Sequence, residues 1–277
     1  MRLEEILCHS QSSLKKRLAK ELRKQKYAPV NQKGFLYAPG QIPVLLVAHL
    51  DTVHSMGVKT ILRSDDGDIL MSPQGIGGDD RAGVYMVMEL TKSYKCHVLF
   101  CEDEEVGAIG ARKFVLSGIS PKVNYILEFD RKDATDAVFY DCCNKDFIEF
   151  ICGFGFSEDF GSFSDISVLA PALRIAAANL SAGYFSAHTT GEYINLSIVR
   201  TNIKKVKKIL AVTPTPFFEY IEKPRFFPYR GRGRYMIPDE FNDGFEYGLL
   251  NYGRSALDKR IPEKAGPERP GKIRREK

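Results

Sequence analysis

PVLLVAHLDTV (residues 43–53) is an apolar, β-branched run that stops on His49 and Asp51. Six residues without polar alternation, then a histidine and an acid, describe a strand buried on both faces that delivers polar groups at its end. Three more runs have the same form. CHVLFC (residues 96–101) leads into Glu102, Asp103, Glu104 and Glu105. NYILEF (residues 124–129) leads into Asp130, and LRIAAANL (residues 173–180) precedes the segment that carries His188. Polar residues just past buried strands lie at the carboxyl edge of a sheet, where open α/β sheets place their ligand sites. The expected fold class is therefore α/β.

Five short segments carry the chemistry. In order they are HLDTV (49–53), GGDDRAG (77–83), EDEEVG (102–107), EFD (128–130) and AHTTGEYI (187–194). Each alone has an ordinary structural reading: a hydrogen-bonded strand-end histidine, a solvated acidic face, a turn or a helix cap. Together they bring two histidines and at least three carboxylates to loop positions, the donor set for a pair of divalent ions. His49 and Asp51 are two apart, so an extended chain points both to one face. Asp51 can then accept the second imidazole N–H of His49 and fix its tautomer. Glu104 and Glu105 point apart on an extended chain, leaving one for a metal and one for a water. Gly75, Gly77, Gly78 and Gly83 allow the close wrapping expected around ions, and a carboxylate there could bridge two of them.

These five segments resemble the co-catalytic di-zinc exopeptidases of clan MH, which include peptidase T, carboxypeptidase G and the bacterial leucyl aminopeptidases. HLDTV, GGDDRAG and DEEVG are similar to the peptidase T wording, and NLSAGYFSAHTTGEYI (179–194) to the last metal motif of the aminopeptidase branch. The resemblance spans roughly residues 35–210. It implies a single-domain, three-layer αβα sandwich around a central mixed β-sheet, of the zinc exopeptidase or phosphorylase/hydrolase-like kind. It also implies roles. His49 and Asp130 would bind one metal, Glu105 and His188 the other, and Asp79 would bridge them with a cis peptide to Asp80. The choice of Asp79 over Asp80 follows the alignment to Arg81-Ala82-Gly83, since spacing alone does not decide it. Glu104 would be the general base and Asp51 would orient His49. The implied cofactors are two divalent ions, zinc first, with cobalt or manganese suited to the same nitrogen and oxygen donors. Tyr184 and Arg81 could touch substrate, and packing is the favoured reading for both.

The implied function is a metal-dependent aminopeptidase of short peptides. A deacylase of N-acyl amino acids or amino sugars is the alternative, because the metal chemistry is the same and only the pocket differs. A single-zinc glutaminyl cyclase fits the full bridging set less well. One departure matters. Peptidase T and carboxypeptidase G insert a lid or dimerisation domain before the final histidine, but only 57 residues lie between Asp130 and His188 here. They hold two strand-like stretches (137–140 and 147–154) and a helix near 165–169, leaving nothing for a lid. The architecture is closer to the single-domain aminopeptidase branch, and the oligomeric state is open.

The remaining sequence frames this catalytic body. Leucines and isoleucines at 3, 6, 7, 14, 18 and 22 mark a helix over residues 3–24. Its basic half, including Lys15, reads as a solvated face. Residues 31–34 and 65–68 read as hairpin turns, the second between strands at 59–63 and 69–71. Residues 80–92 and 195–210 have helical periodicity, with Asn195 as a cap. The expected domain is 1–212, followed by a Pro/Gly/Arg-rich extension (213–277), partly disordered. Within it PRFFPYRGRGRY (224–235) interleaves arginine with aromatics, a composition that can stack on single-stranded nucleic acid. Residues 254–277 carry a net charge of +5, equal to that of the whole chain, so the body is formally neutral. That balance argues against a dedicated nucleic-acid-binding domain. No run approaches the roughly 18 apolar residues of a membrane span. The first residues lack the apolar core of a signal peptide, and the six cysteines show no CxxC spacing. Free thiols and a cytoplasmic location are the expectation.

Overall fold

The computed structural model describes residues 1–224. The arginine- and aromatic-rich stretch beyond Pro224 and the basic tail lie outside the described residues. In chain order the elements are α1 (Leu3–Leu7), α2 (Gln11–Lys24), β1 (Val30–Gln32), β2 (Phe35–Ala38), β3 (Ile42–His49), β4 (Leu62–Arg63) and β5 (Ile69–Met71). There follow α3 (Gly78–Leu90), β6 (Cys96–Cys101), α4 (Ile109–Leu116), β7 (Tyr125–Arg131), β8 (Asp136–Val138) and α5 (Lys145–Cys152). The rest are β9 (Ser157–Asp159), α6 (Asp165–Leu173), β10 (Ala177–Ser181), β11 (Tyr184–Phe185), β12 (Tyr193–Asn195) and α7 (Leu196–Leu210).

Eight strands form one mixed sheet in the order β1-β2-β6-β3-β7-β10-β8-β9. Its centre, β6-β3-β7-β10, is parallel, so four carboxyl ends share one edge. Alternate residues of each central strand join opposite cores. Val44, Leu46 and Ala48 face the layer of α1, α2, α3, α5 and α7, while Leu45 and Val47 face α4 and α6. That two-sided burial is why these runs lack polar alternation, and it makes the three-layer αβα sandwich expected from the resemblance. A second, antiparallel sheet runs β11-β12-β5-β4; the sequence marked its β4–β5 hairpin but not β11 and β12. Between Asp130 and His188 every element belongs to these layers; no separate lid occurs among the described residues.

Several local expectations hold. Both hairpin turns form, and Asn195 caps α7 by accepting from the N–H of Ser197 and Ile198. All six cysteines are free. Others need correction. Residues 3–24 form two helices, because the Ser10 side chain accepts the N–H of Ser13 and starts a new helix. Residues 147–152 of the strand expected at 147–154 are helical, although rich in β-branched and aromatic groups, and 153–154 form a turn. Asn144 caps α5, and Phe147 and Ile151, four apart, turn one face inward. The strand expected at 59–63 shrinks to β4, since the N–H groups of Lys59 and Thr60 are taken by the Gln74 side chain. Lys15 leaves the solvated face altogether. It is buried, and its ammonium donates to Gln32 O and to Glu102 at 2.7 Å.

The packed unit continues beyond residue 212. The Phe218 and Phe147 rings lie 5.0 Å apart, and Phe218 N donates to Asn124 O. Residues 213–224 thus begin the Pro-rich extension but pack on the body.

Candidate metal centre

Parallel register brings the site together. His49 ends β3 directly opposite Cys101, the last residue of β6, so Glu104 and Glu105 begin just beyond. On the other side β3 pairs with β7, which ends in Asp130 and Arg131. Asp79 comes from the start of α3. This helix lies so close to β7 that a Cβ on Gly83 would sit 2.3 Å from Phe129 O. His188 enters from the loop after β11.

Asp79 stands between the two histidines. Its Oδ1 is 3.0 Å from His49 Nε2, and its Oδ2 is 3.1 Å from His188 Nε2. His49 Nε2 is also 3.4 Å from Asp130 Oδ1, and His188 Nε2 is 3.2 Å from Glu105 Oε1. Two His–carboxylate pairs therefore share one carboxylate. The peptide bond between Asp79 and Asp80 is cis, as the resemblance implied. Asp80 has a different task. Its two oxygens accept the backbone N–H groups of His49 and Gly83, which separates the two neighbouring acids physically.

Asp51 lies where the sequence suggested, with Oδ1 3.3 Å from His49 Nδ1. It also accepts the backbone N–H groups of Glu104 and Glu105, each at 3.0 Å, and so holds the second acidic loop in place. Of the four acids at 102–105, two are structural. Glu102 accepts from Lys15 and from Gly34 N, and Asp103 accepts from Gln11. Glu104 and Glu105 line a cavity of about 180 Å³ together with Asp79, Asp130, His188, Lys132 and Phe163.

The electrostatics are those of crowded acids. Burial, reinforced by Asp130, pushes the Glu104 carboxyl up to about 8. Burial and Asp79 push Asp130 up to about 7, and burial raises Glu105. Burial works the same way on Asp79, but the hydrogen bonds from His188 and His49 outweigh it and hold that carboxyl below its usual range. The bond to Asp79 lifts His188 to about 9. Burial disfavours the charged form of His49, yet Asp130, Asp51 and Asp79 together hold its pKa well above the usual value. Closely packed carboxylates with imidazoles among them fit divalent cations, whose charge relieves the repulsion. Among the described residues two donor groups of this kind occur: His49, Asp79 and Glu105, and His49, Asp80 and Asp130.

Other residues find their places. Arg81 is buried and donates to the carbonyls of Ile6 and His9, tying α1 down, in line with packing. Tyr184 packs too, but its hydroxyl also donates to Asp130 Oδ1 at 3.3 Å. Sequence reasoning missed His54 and Glu192. Buried Glu192 accepts the N–H groups of Gly77 and Asp79, and His54 Nε2 lies 2.8 Å from its Oε2. Glu192 lies within the last quoted segment, four residues past His188. Nothing local marks its partners, which lie more than a hundred residues away.

No family model and no curated protein matches the chain at the level of sequence. Solved structures do. Aminopeptidase PepT from Bacillus cereus superposes with a TM-score of 0.61 at 14% identity, covering 74% of this chain and 94% of that one. The chain has the zinc exopeptidase fold. A tripeptidase from Staphylococcus aureus matches with a TM-score of 0.61 at 14% identity, covering 75% of this chain and 95% of that one. An aminopeptidase from the archaeon Desulfurococcus kamchatkensis matches with a TM-score of 0.55 at 15% identity, covering 75% and 93%. This exopeptidase fold places its parallel strand ends where the acids and histidines gather. Among the described residues no helix is long and apolar enough to cross a membrane.

Proposed function

We propose that the chain is a metal-dependent aminopeptidase of short peptides. The observation that carries this reading is the placement of Asp79, with one carboxylate oxygen toward each histidine. A carboxylate so placed suits the bridge between two cations. His49 and Asp130 would hold one, Glu105 and His188 the other, and zinc is the favoured metal for two imidazoles with carboxylates. When bound, the pair supplies Lewis acidity and a water of lowered pKa.

The chain's own residues do the rest. Glu104 lines the cavity and is the group we assign as general base, taking a proton from water and passing it to the leaving amine. Cation charge nearby favours its ionised form and offsets the burial that raises it. Asp51 keeps His49 oriented and, through two backbone N–H groups, fixes Glu104 relative to it. The solved structures of similar fold are described as an aminopeptidase and a tripeptidase, which supports a peptide substrate.

Metal content by mass spectrometry, measured beside amino-acid release from a peptide panel, tests the reading. Two metals per chain with chelator-sensitive release are expected. Glu104→Gln should retain the metal and lose about 10²–10⁴-fold in rate. No metal bound after supply of zinc, cobalt or manganese, with no release, would overturn it.

A further inference from the structure

The cavity beside the acid–histidine cluster carries an asymmetric charge. Its four carboxylates, Asp79, Glu104, Glu105 and Asp130, all belong to the cluster. Two cationic side chains follow Asp130 along the cavity wall. Arg131 is committed, with its guanidinium on Asp136 and Asp159. Lys132 is not. Among the described residues its ammonium has only Asp133, at 4.0 Å, with half the Lys132 side chain exposed, and such exposed pairs hold weakly. Lys132 and the four carboxylates line one cavity of about 180 Å³, so a charged group close to the reacting amide of a substrate seated at the cluster meets Lys132.

We propose that Lys132 reads a carboxylate on the substrate, and that the favoured substrates are dipeptides, whose terminal carboxylate lies one residue beyond the scissile amide. This rests on the hydrolase reading above and narrows its substrate class. Lys132 is a specificity-determining residue, and the Phe163 ring on the same cavity offers an apolar surface to a side chain. The α-carboxylate of an N-acyl amino acid presents the same charge at the same distance from its amide. The shared chemistry is thus an amide whose amine side bears a carboxylate.

The test compares Leu-Leu with Leu-Leu-amide, and N-acetyl-leucine with its amide, on the metal-loaded full chain and on Lys132→Met and Lys132→Glu. The acid should be preferred over the amide by about tenfold or more in kcat/KM, the scale of one charge-assisted hydrogen bond. The preference should fall to about twofold in Lys132→Met and reverse in Lys132→Glu. Whichever acid shows it, dipeptide or N-acyl amino acid, identifies the source of the carboxylate. A preference that persists in Lys132→Met would mean that the cations read the carboxylate, and the proposal fails while the hydrolase reading stands. Equal cleavage of acid and amide by the unmodified chain would mean that the carboxylate is not read at all, and the proposal fails in that case too. Calorimetric binding of N-acetyl-leucine against its amide, on the same three proteins, gives the answer without turnover. If no substrate is cleaved but that binding difference depends on Lys132, the hydrolase reading falls and the carboxylate site remains.

Discussion

The buried Glu192 carboxylate pairs with His54, with Nε2 and Oε2 2.8 Å apart, and the same carboxylate accepts the backbone N–H of Asp79. The pair is therefore the support on which Asp79 rests. Gly75 lets His54 in, because a Cβ there would lie 2.2 Å from its Nδ1. Glu192→Ala leaves two N–H groups and an imidazole without an acceptor, at about 1–3 kcal/mol for each unpaired group. Metal affinity should fall about 10–100-fold, the usual effect of losing a group that supports the ligands. Competition with a fluorescent chelator reads the affinity. An unchanged value would show that Asp79 holds its position unaided.

Filling the site should release protons. At pH 7 the metal-free chain keeps His188, raised to about 9, and His49, also raised, in their protonated forms. Glu104 and Asp130, near 8 and 7, are partly protonated. Ligands bind metal deprotonated, so uptake should expel on the order of two or three protons and weaken as pH falls. Calorimetry in buffers of different ionisation heat counts them. Without metal the sign for His188 is fixed by its raised value. Its stabilising contribution is complete below the unfolded value near 6.5 and disappears as pH rises through about 9.

Asp165 gives a separate pH effect. It is buried at the start of α6, and burial, reinforced by Glu104 and opposed by His49, lifts its carboxyl to about 7. Between about 4 and 7 the folded chain holds a proton that the unfolded chain has lost, so stability falls as pH rises through that window. Asp165→Asn cannot ionise. In chelator it should match the parent near pH 4 and exceed it at pH 8 by on the order of 2 kcal/mol. Melting curves across that range decide, and parallel curves would refute the account.

Breaking the Lys15–Glu102 pair should cost about 3 kcal/mol, since removing one partner strands a buried charge. Lys15→Met tests this in urea. Adding Glu102→Leu should recover most of the loss, which would not happen if Lys15 acted only by packing.

Phe218 packs on Phe147, Phe150 and Tyr125. Phe218→Ala should cost about 3 kcal/mol, and ending the chain at residue 212 should cost at least as much. Equal stability of the shortened chain would show that residues 213–224 only lie on the body.

The parallel sheet and most of the candidate site could be read in the sequence because both are local in origin. A strand buried on two faces must be apolar throughout, so the runs ending at His49, Cys101 and Phe129 declare themselves. The residue after each run then falls at the sheet edge. Phe147 and Ile151 misled because β-branched and aromatic groups suit a strand, whereas the Asn144 cap and the burial of one helical face decide the outcome. Lys15 misled for the converse reason: an amphipathic pattern shows which face is charged, but not that a distant glutamate waits above it.

The sequence by itself determined the fold class, the carboxyl-edge location and the grouping of His49, Asp51, Asp79, Glu104, Glu105, Asp130 and His188, with a resemblance to assign their roles. Spacing left open which of two adjacent acids faces the histidines; the resemblance chose Asp79, and tertiary structure supplies the physical reason. Asp80 accepts the backbone N–H groups of His49 and Gly83, whereas the Asp79 carboxylate faces both imidazoles. Tertiary structure also decided that Glu192, over a hundred residues along the chain, anchors Asp79, and that Lys132 alone brings a loosely paired charge to the cavity among its lining residues. These are long-range relationships. They depend on where packing places each backbone donor and charge, and sequence spacing carries no record of that.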